Sequence, residues 1–489
     1  MKNNIFISGA IAAVLSITSC SDSYLQEDYY PATYIPLDNN TIKTNEDLQN
    51  SVRGLYASLS NINGFGGDYF TYQELTGDIG FVSIRNSGYY VSTNAFNHLI
   101  VDGGASGGIW GAFYNTIANA NLMLSYEGKI PDGEEGIVKS NTLFAHAKVV
   151  RAYNYLALLG LFSPNYGEGD QSLGVPYPTT YDIEAKLPRA SVETVINNVI
   201  ADLESSLATF TSDQTSAIYA DNKSFNSNAI NLLLARAYLF KKDYNKAQQY
   251  AQAVIDLGAP LSTGSGFASL FLLTGENNTE VLFQIDYTNP GGTNSLTTYW
   301  GTAGNYKQNF MAQPFFNSFM KNPAVPNQAT ASDIRIKNTA WYQNNATTYP
   351  DLPAPINVKK YNSGFRDVIQ LRKTEAIFIK AEAQYHTDPT AAFQTLKTWV
   401  IGYRDTDYNK TFTGTAVLDE ILRQKGFEFF LEGTRFTDLK RNNKSIVKYQ
   451  TGSDGNPLAT IPVGDKRFIW PIPFNEMQNN PNISQAPGY

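Results

Sequence analysis

Cysteine and histidine are nearly missing from this 489-residue chain, which holds 1 Cys and 3 His. That scarcity sets aside a disulfide framework, a cysteine zinc site and a three-histidine metal cage. An excess of positive charge is missing too: Lys and Arg total 37 against 44 Asp and Glu, a net charge of -7. No global basic field is available to hold nucleic acid or anionic lipid. H-E-x-x-H, the phosphate-binding P-loop and G-x-G-x-x-G do not occur, and past residue 20 no run of eighteen apolar residues exists to span a bilayer. Rings are plentiful, with 31 Tyr, 28 Phe and an aromatic share of 13%. With 42% hydrophobic and 17% charged residues the chain is globular, long enough for roughly three average domains or one large fold.

The first residues read as an address. Met1-Lys2-Asn3-Asn4 is a short basic start, and the apolar run from Ile5 to Ile17 has the length of a signal h-region. The run closes on Ile17-Thr18-Ser19-Cys20, which resembles a bacterial lipobox, so Cys20 becomes the acylated N-terminus and residues 1–19 are removed. A chance free thiol, or a plain signal peptide cleaved nearby, is the alternative. Acyl chains burying methylenes at about 0.8 kcal/mol each anchor a protein without any membrane-spanning helix.

Beyond a tether at 20–45, helical blocks alternate with polar loops. Leu48, Val52, Leu55 and Leu59 recur at helical spacing. Further helices are expected from Ser106 through Trp110, Tyr114, Ile117 and Leu124, and across Leu143, Ala147, Val150 and Ala157. Another should follow the N-cap Ser191 through Val195, Val199, Leu203 and Leu207. The clearest repeat is a helix-turn-helix from Ala229 to Phe240 and Tyr244 to Leu257. There Leu234, Ala235, Tyr238, Ala247 and Pro260 fall on or beside the large, small, aromatic, small and proline sites of the 34-residue tetratricopeptide pattern. A weaker copy is read at Ile369–Val400 around the Asp388-Pro389 break. Between the two, 261–364 is a loop-rich insert whose one convincing strand is Glu280 to Asp286.

Several separate motifs run along the chain: Arg151-Ala152 with Tyr155, Tyr166-Gly167 followed by Gly174-Val175-Pro176, and Pro188-Arg189-Ala190-Ser191 leading into Ile200-Ala201-Asp202-Leu203. Ala235-Arg236-Ala237-Tyr238, Leu371 to Ala376, Phe429 to Arg441, Trp470-Pro471-Ile472-Pro473, Asn480-Pro481-Asn482 and Gln485 to Tyr489 complete the set. Over essentially the whole length they resemble the SusD/RagB family of nutrient-binding proteins of the Bacteroidetes outer membrane. Gln424-Lys425 departs from the family's usual Glu-Arg and is expected to weaken an ion-pair network. Ala486 replaces an Asn, and Glu168 to Leu173 lengthens a loop. The acidic Ser21-Asp22-Ser23, Glu27 and Asp28 stretch is similar to the surface-export signal of lipoproteins from that phylum.

The expected fold is predominantly α, a tetratricopeptide-like helix-pair scaffold (46–60, 106–260, 365–445) with a long loop-rich insert, a few short β-strands and a family tail at 446–489, all in one domain from 46 to 489. The resemblance implies a non-enzymatic, lipid-anchored, surface-exposed protein. Such a protein captures a glycan and delivers it to a SusC-like TonB-dependent transporter, capping that barrel like a lid on its Ser21–Asn40 tether. Peptide uptake, as in the RagB branch, is the alternative ligand class, and a surface glycosidase or esterase the alternative activity.

Catalytic readings are weak. Gly104-Ala105-Ser106-Gly107-Gly108 fits G-x-S-x-G only formally, and it equally describes a helix start. Asp405-x-Asp407-x-Asn409 opens like a calcium loop, but Lys410 and Ala416 stand at its glycine and glutamate positions, so a turn is the better reading. Glu428, Glu432 and Arg435 are spaced to pair on one helical face and hold the last helices together, with Asp438 beside them. A glycosidase whose two acids lie far apart along the chain stays open. No cofactor or metal is expected.

An open ring can stack on the apolar face of a sugar while amides and carboxylates take its hydroxyls. Three loop clusters qualify: Tyr69, Phe70, Tyr72 and Asp78 with Tyr89 and Tyr90; Tyr287, Tyr299, Trp300 and Tyr306; and Trp341, Tyr342 and Tyr349. The ligand face is placed on 61–105 and 261–364, with Trp300 its leading residue, because no helical or strand period there buries that ring. Trp110, Trp399 and Trp470 are assigned to the core.

Overall fold

The computed structural model describes residues 41–489 apart from 97–103, 135–137, 183, 214–220, 259–260, 272–277, 287–294, 302–303, 305, 307, 321–331, 337–340, 345–355, 362–366 and 450–456. Cys20, the signal segment, nearly all of the tether, Tyr287, Tyr349 and Pro260 lie outside the described residues.

Helices dominate. Besides three short helices at Gly264–Ser269, Gln313–Asn317 and Phe474–Asn479, they are, in chain order, α1 (Asn45–Leu59), α2 (Asp68–Leu75), α3 (Val91–Asn94), α4 (Ala105–Leu124), α5 (Ser140–Phe162), α6 (Val192–Ser212), α7 (Ser227–Phe240), α8 (Tyr244–Ile255), α9 (Ser295–Trp300), α10 (Thr374–Tyr385), α11 (Pro389–Tyr403), α12 (Thr415–Glu428) and α13 (Arg435–Arg441). Their starts follow side-chain chemistry. Thr44 and Asp47 form a capping box at α1, and the side chains of Ser191, Asn226, Asp243 and Asp388 cap α6, α7, α8 and α11. Pro389 sits in the first turn of α11, where its missing N–H costs nothing.

From α4 to α8 each helix packs on the next, and α10 then packs on α8 and pairs with α11. The helix-pair scaffold therefore runs much further than its two sequence signatures. Ala235, Ala247, Ala381 and Ala392 are fully buried, and their small side chains let helices approach closely. Helix α5 is buried on almost every side, as a central helix must be. Arg151 on α5 holds Asp202 on α6 through two nitrogens at 2.9 Å each. The weaker repeat needs correction at its start: Val368–Arg372 is a strand, and only from Thr374 is the unit helical.

The insert is less loop-like than expected. Strands β1 (Gly80–Val82), β3 (Asn309–Met311), β4 (Tyr342–Asn344) and β5 (Ile356–Val358) form a four-stranded sheet in the order β1-β3-β5-β4, with each neighbouring pair antiparallel. Strand β2 (Val281–Ile285) pairs antiparallel with β6 (Val368–Arg372), and β7 (Ile446–Tyr449) with β8 (Pro457–Ile461). The short strands escaped the sequence reading because strands of three residues carry almost no periodic signal.

Charged residues meet at the centre. Arg372 reaches Glu280 (2.8 Å), Glu428 (2.9 Å) and Glu432 (2.6 Å); Arg404 binds Glu428 through Nη2 at 2.7 Å; Lys360 binds Glu432 at 2.8 Å; Arg335 binds Asp333 at 2.6 Å. All eight side chains are at least about nine-tenths buried, and four cations balance four carboxylates. The guanidiniums hold the Glu428 carboxyl well below its ordinary range against the opposing effect of burial.

The expected pairing of Glu428, Glu432 and Arg435 on one helical face is therefore wrong. The helix stops at Glu428, and Leu431 and Gly433 take positive φ, turning the chain before α13. At Gly433 a Cβ would stand 2.5 Å from the Phe70 ring, so glycine is required by both its backbone conformation and its space. Arg435 instead holds Asp78, and Asp438 takes Lys425 (2.8 Å) and Arg441 (2.7 Å). The exchange to Gln424-Lys425 leaves the network intact, since Gln424 accepts from Arg335 at 2.8 Å.

Candidate functional site

The two ring clusters that sequence separated come together. Tyr89 and Tyr90 end the loop after β1, while Tyr299 and Tyr306 flank the turn after α9. Tyr299 and Tyr306 stack with centroids 5.1 Å apart and planes inclined by 14°. Tyr89 lies 5.2 Å from Tyr299 and 5.3 Å from Tyr306, and Tyr90 meets Tyr299 edge-on at 4.9 Å. Tyr72 closes the row beneath, edge-on to Tyr90 at 5.7 Å. Exposure grades along it: Tyr72 is buried, Tyr90 and Tyr299 are half-buried, and Tyr89 and Tyr306 are 49% and 44% exposed. Large rings left open beside one another form a platform for an apolar face.

Local bonds hold the platform in place. Gln308, fully buried, accepts from the Ser87 N–H (3.1 Å) and hydroxyl (2.9 Å) through Oε1 and donates to the Tyr89 carbonyl at 2.7 Å through Nε2. Backbone bonds from Tyr306 N to Thr298 O (3.2 Å) and from Gln308 N to Tyr299 O (3.0 Å) close the other side. Tyr90 adopts the left-handed region, φ 60°, at the start of α3, and its hydroxyl donates to Asp68 at 2.7 Å. Burial raises the Asp68 carboxyl, and burial together with the Asp68 charge raises the Tyr90 phenol; burial pushes the Tyr299 phenol up to about 12. Tyr90 and Tyr299 are therefore neutral near pH 7 and keep hydroxyl donors.

The remaining expected ring sites go elsewhere. Trp300 was expected to be open and is fully buried: it ends a short helix, donates from Nε1 to Thr71 Oγ1 at 3.2 Å and meets Phe430 edge-on at 5.4 Å. Trp341 and Tyr342 are buried as well. Lys360 lies 4.3 Å from the Trp341 ring centroid, and the Tyr342 hydroxyl donates to the Phe427 carbonyl. Asp78 is committed to Arg435 at 2.6 and 2.9 Å. Trp110, Trp399 and Trp470 are buried, as assigned. Ser106 lies in the first turn of α4, whose N-cap is Gly104, and residues 97–103, where a strand was expected, lie outside the described residues. Gln308 and Asp68 were missed; each is one amide or carboxylate among many, and only its bonds single it out.

The model described as the SusD family matches residues 292–489, and a model described as starch-binding associating with outer membrane matches residues 24–239. The chain belongs to the SusD-like family. This SusD-like protein is 30% identical to the SusD-like protein P2 of Formosa agariphila over 291 residues, 57% of this chain and 52% of that one, so it aligns with about half that relative's length. A SusD superfamily protein from Bacteroides vulgatus superposes with a TM-score of 0.79 at 24% identity, covering 92% of this chain and 100% of that one. A structure described as a laminarin-binding SusD-like protein gives 0.68 at 17% identity, over 92% and 100%. These likenesses show the predominantly helical fold. Among the described residues no helix is long and apolar enough to cross a membrane.

Proposed function

We propose that this SusD-like protein binds an oligosaccharide on the tyrosine platform at the outer membrane, without chemistry of its own, and passes it to a SusC-like TonB-dependent transporter. The observation that carries the reading is the pair of open rings, Tyr89 and Tyr306, packed against half-buried Tyr299. An open row of rings suits a chain of sugars lying across it, and the hydroxyls offer donors to the sugar oxygens. The outer-membrane description of one matching model and the glycan named for one structural neighbour support the same reading.

Calorimetry with a panel of α- and β-linked glucan oligosaccharides and of peptides tests it, using the wild type, Tyr89→Ala and Tyr306→Ala. A glycan should bind the wild type and weaken about tenfold in each variant, as interface energy concentrates in a few aromatic residues. Binding confined to peptides, or glycan binding indifferent to both substitutions, overturns the assignment. Turnover of a bound glycan by the purified protein would make it an enzyme.

A further inference from the structure

A cleft of about 460 Å³ opens between α8, α10 and α11, on elements that contribute nothing to the tyrosine platform. Part of its wall is apolar, with Val254 from α8, Leu261 beyond it, Ile377 from α10 and Trp399 from α11, and Thr395 adds a polar group. Gln394 and Thr398 stand exposed at the rim. The volume lies in the range of roughly 300–1,000 Å³ usual for small-molecule sites.

Two lysines interrupt this apolar lining. Lys380 donates to Gln252 Oε1 at 2.7 Å, which among the described residues leaves two of its N–H groups uncommitted. Lys373 is different. The residue is only 8% exposed, its ammonium makes no hydrogen bond or ion pair with any described residue, and its Nζ atom still reaches solvent at the cleft. The nearest carboxylate that acts on it, Glu280, is already engaged: Oε1 accepts from Arg372 (2.8 Å) and Thr374 (2.6 Å), and Oε2 from the Ser262 N–H (2.6 Å). Burial lowers the Lys373 ammonium from its ordinary value, and the Glu280 charge offsets part of that effect.

We propose that this cleft is a second ligand site, for a small monocarboxylate with an apolar body. Lys373, the more buried of two ammoniums that have no carboxylate within hydrogen-bond reach among the described residues, calls for a negative charge, and the wall beside it calls for a hydrocarbon or aromatic body. A neutral apolar ligand would leave Lys373 desolvated without a partner, and an inorganic anion would leave the apolar wall unused. The inference is independent of glycan binding.

The probe is octanoate, titrated into the full chain by calorimetry beside its neutral isostere octanamide. Octanoate should bind, and octanamide at least tenfold more weakly. Lys373→Met, which keeps the aliphatic stem, should weaken octanoate at least tenfold, and Lys380→Met less. Thr398→Trp, at the exposed rim, should block entry without touching either lysine. Tyr306→Ala should leave octanoate binding unchanged, which separates this site from the platform. Equal affinity for octanoate and octanamide overturns the proposal, as does octanoate binding that survives both Lys373→Met and Thr398→Trp. Absence of octanoate binding at millimolar concentration overturns it too, and would leave the cleft to a protein segment. If Lys373→Met does not fold, the octanoate-to-octanamide ratio and Thr398→Trp decide alone.

Discussion

Trp300 and Tyr306 are neighbours in sequence with opposite fates, and single substitutions should expose the difference. Trp300→Ala removes a fully buried ring and its bond to Thr71, and should cost about 3–5 kcal/mol in chemical denaturation. Tyr306→Ala should leave stability nearly unchanged and cost about 1 kcal/mol or more of glycan affinity. Composition told that rings were the chemistry of this chain, yet not which rings were open. That choice depends on the sheet under the insert, where the Trp300 ring lies so close to β1 that a Cβ on Gly80 would stand 2.7 Å from it. Glu74 supplies a second residue-scale test. It is fully buried, accepts from the Leu431 N–H at 3.0 Å, and burial pushes its carboxyl up to about 8. Its folded pKa is above its unfolded one, so the folded state holds the proton more tightly and stability is lost as pH rises from about 4.5 to about 8. Glu74→Gln keeps the acceptor and should flatten that loss. Its melting temperature should match the wild type near pH 4 and exceed it near pH 8.5; equal pH profiles would show that Glu74 is ionised in the fold.

Among the elements, β6 and α12 are joined by charge rather than by hydrocarbon. Arg372 alone contacts three carboxylates, and Arg372→Leu leaves Glu280, Glu428 and Glu432 with too few cations in a site closed to water. The expected cost is about 3–5 kcal/mol. Lys444→Ala, which breaks a pair with Asp419 whose two side chains are 30% and 60% exposed, should change stability by less than about 1 kcal/mol in the same urea series. Comparable losses would mean that the buried cluster is more solvated than its geometry shows. The helices flanking these charges were readable beforehand because caps such as Ser191 and Asn226 and the steps of apolar residues are local signals. The ion pairs were not. Arg372 and Glu432 lie 60 positions apart, and the turn at Leu431 and Gly433 breaks the helical spacing that had suggested different partners.

For the whole molecule, the packing of α4 to α8 and α10 to α11 makes one continuous scaffold, whereas two repeat signatures alone were thin evidence for it. Family motifs such as Leu431 to Arg441 carried more fold information than periodicity did, because each marks a special backbone or a buried charge that a generic helix lacks. The proposed membrane attachment concerns a different part of the chain. Cys20, outside the described residues, is proposed to bear the acyl chains that hold the protein at the outer membrane, since two or more chains are needed for stable anchoring. Cys20→Ala should move the protein from the detergent phase to the aqueous phase, and intact-mass measurement of the wild type should show the added acyl mass on a chain starting at residue 20. A wild type that partitions into the aqueous phase removes the anchor. The transporter is tested separately by extracting the wild type in mild detergent: a large barrel protein should co-purify, and should be lost when Cys20→Ala no longer concentrates the protein at the membrane. If acylation is found and no barrel accompanies the protein, the anchor stands and the proposed delivery to a SusC-like transporter fails, because a ligand bound at the surface would then have no route inward through this complex.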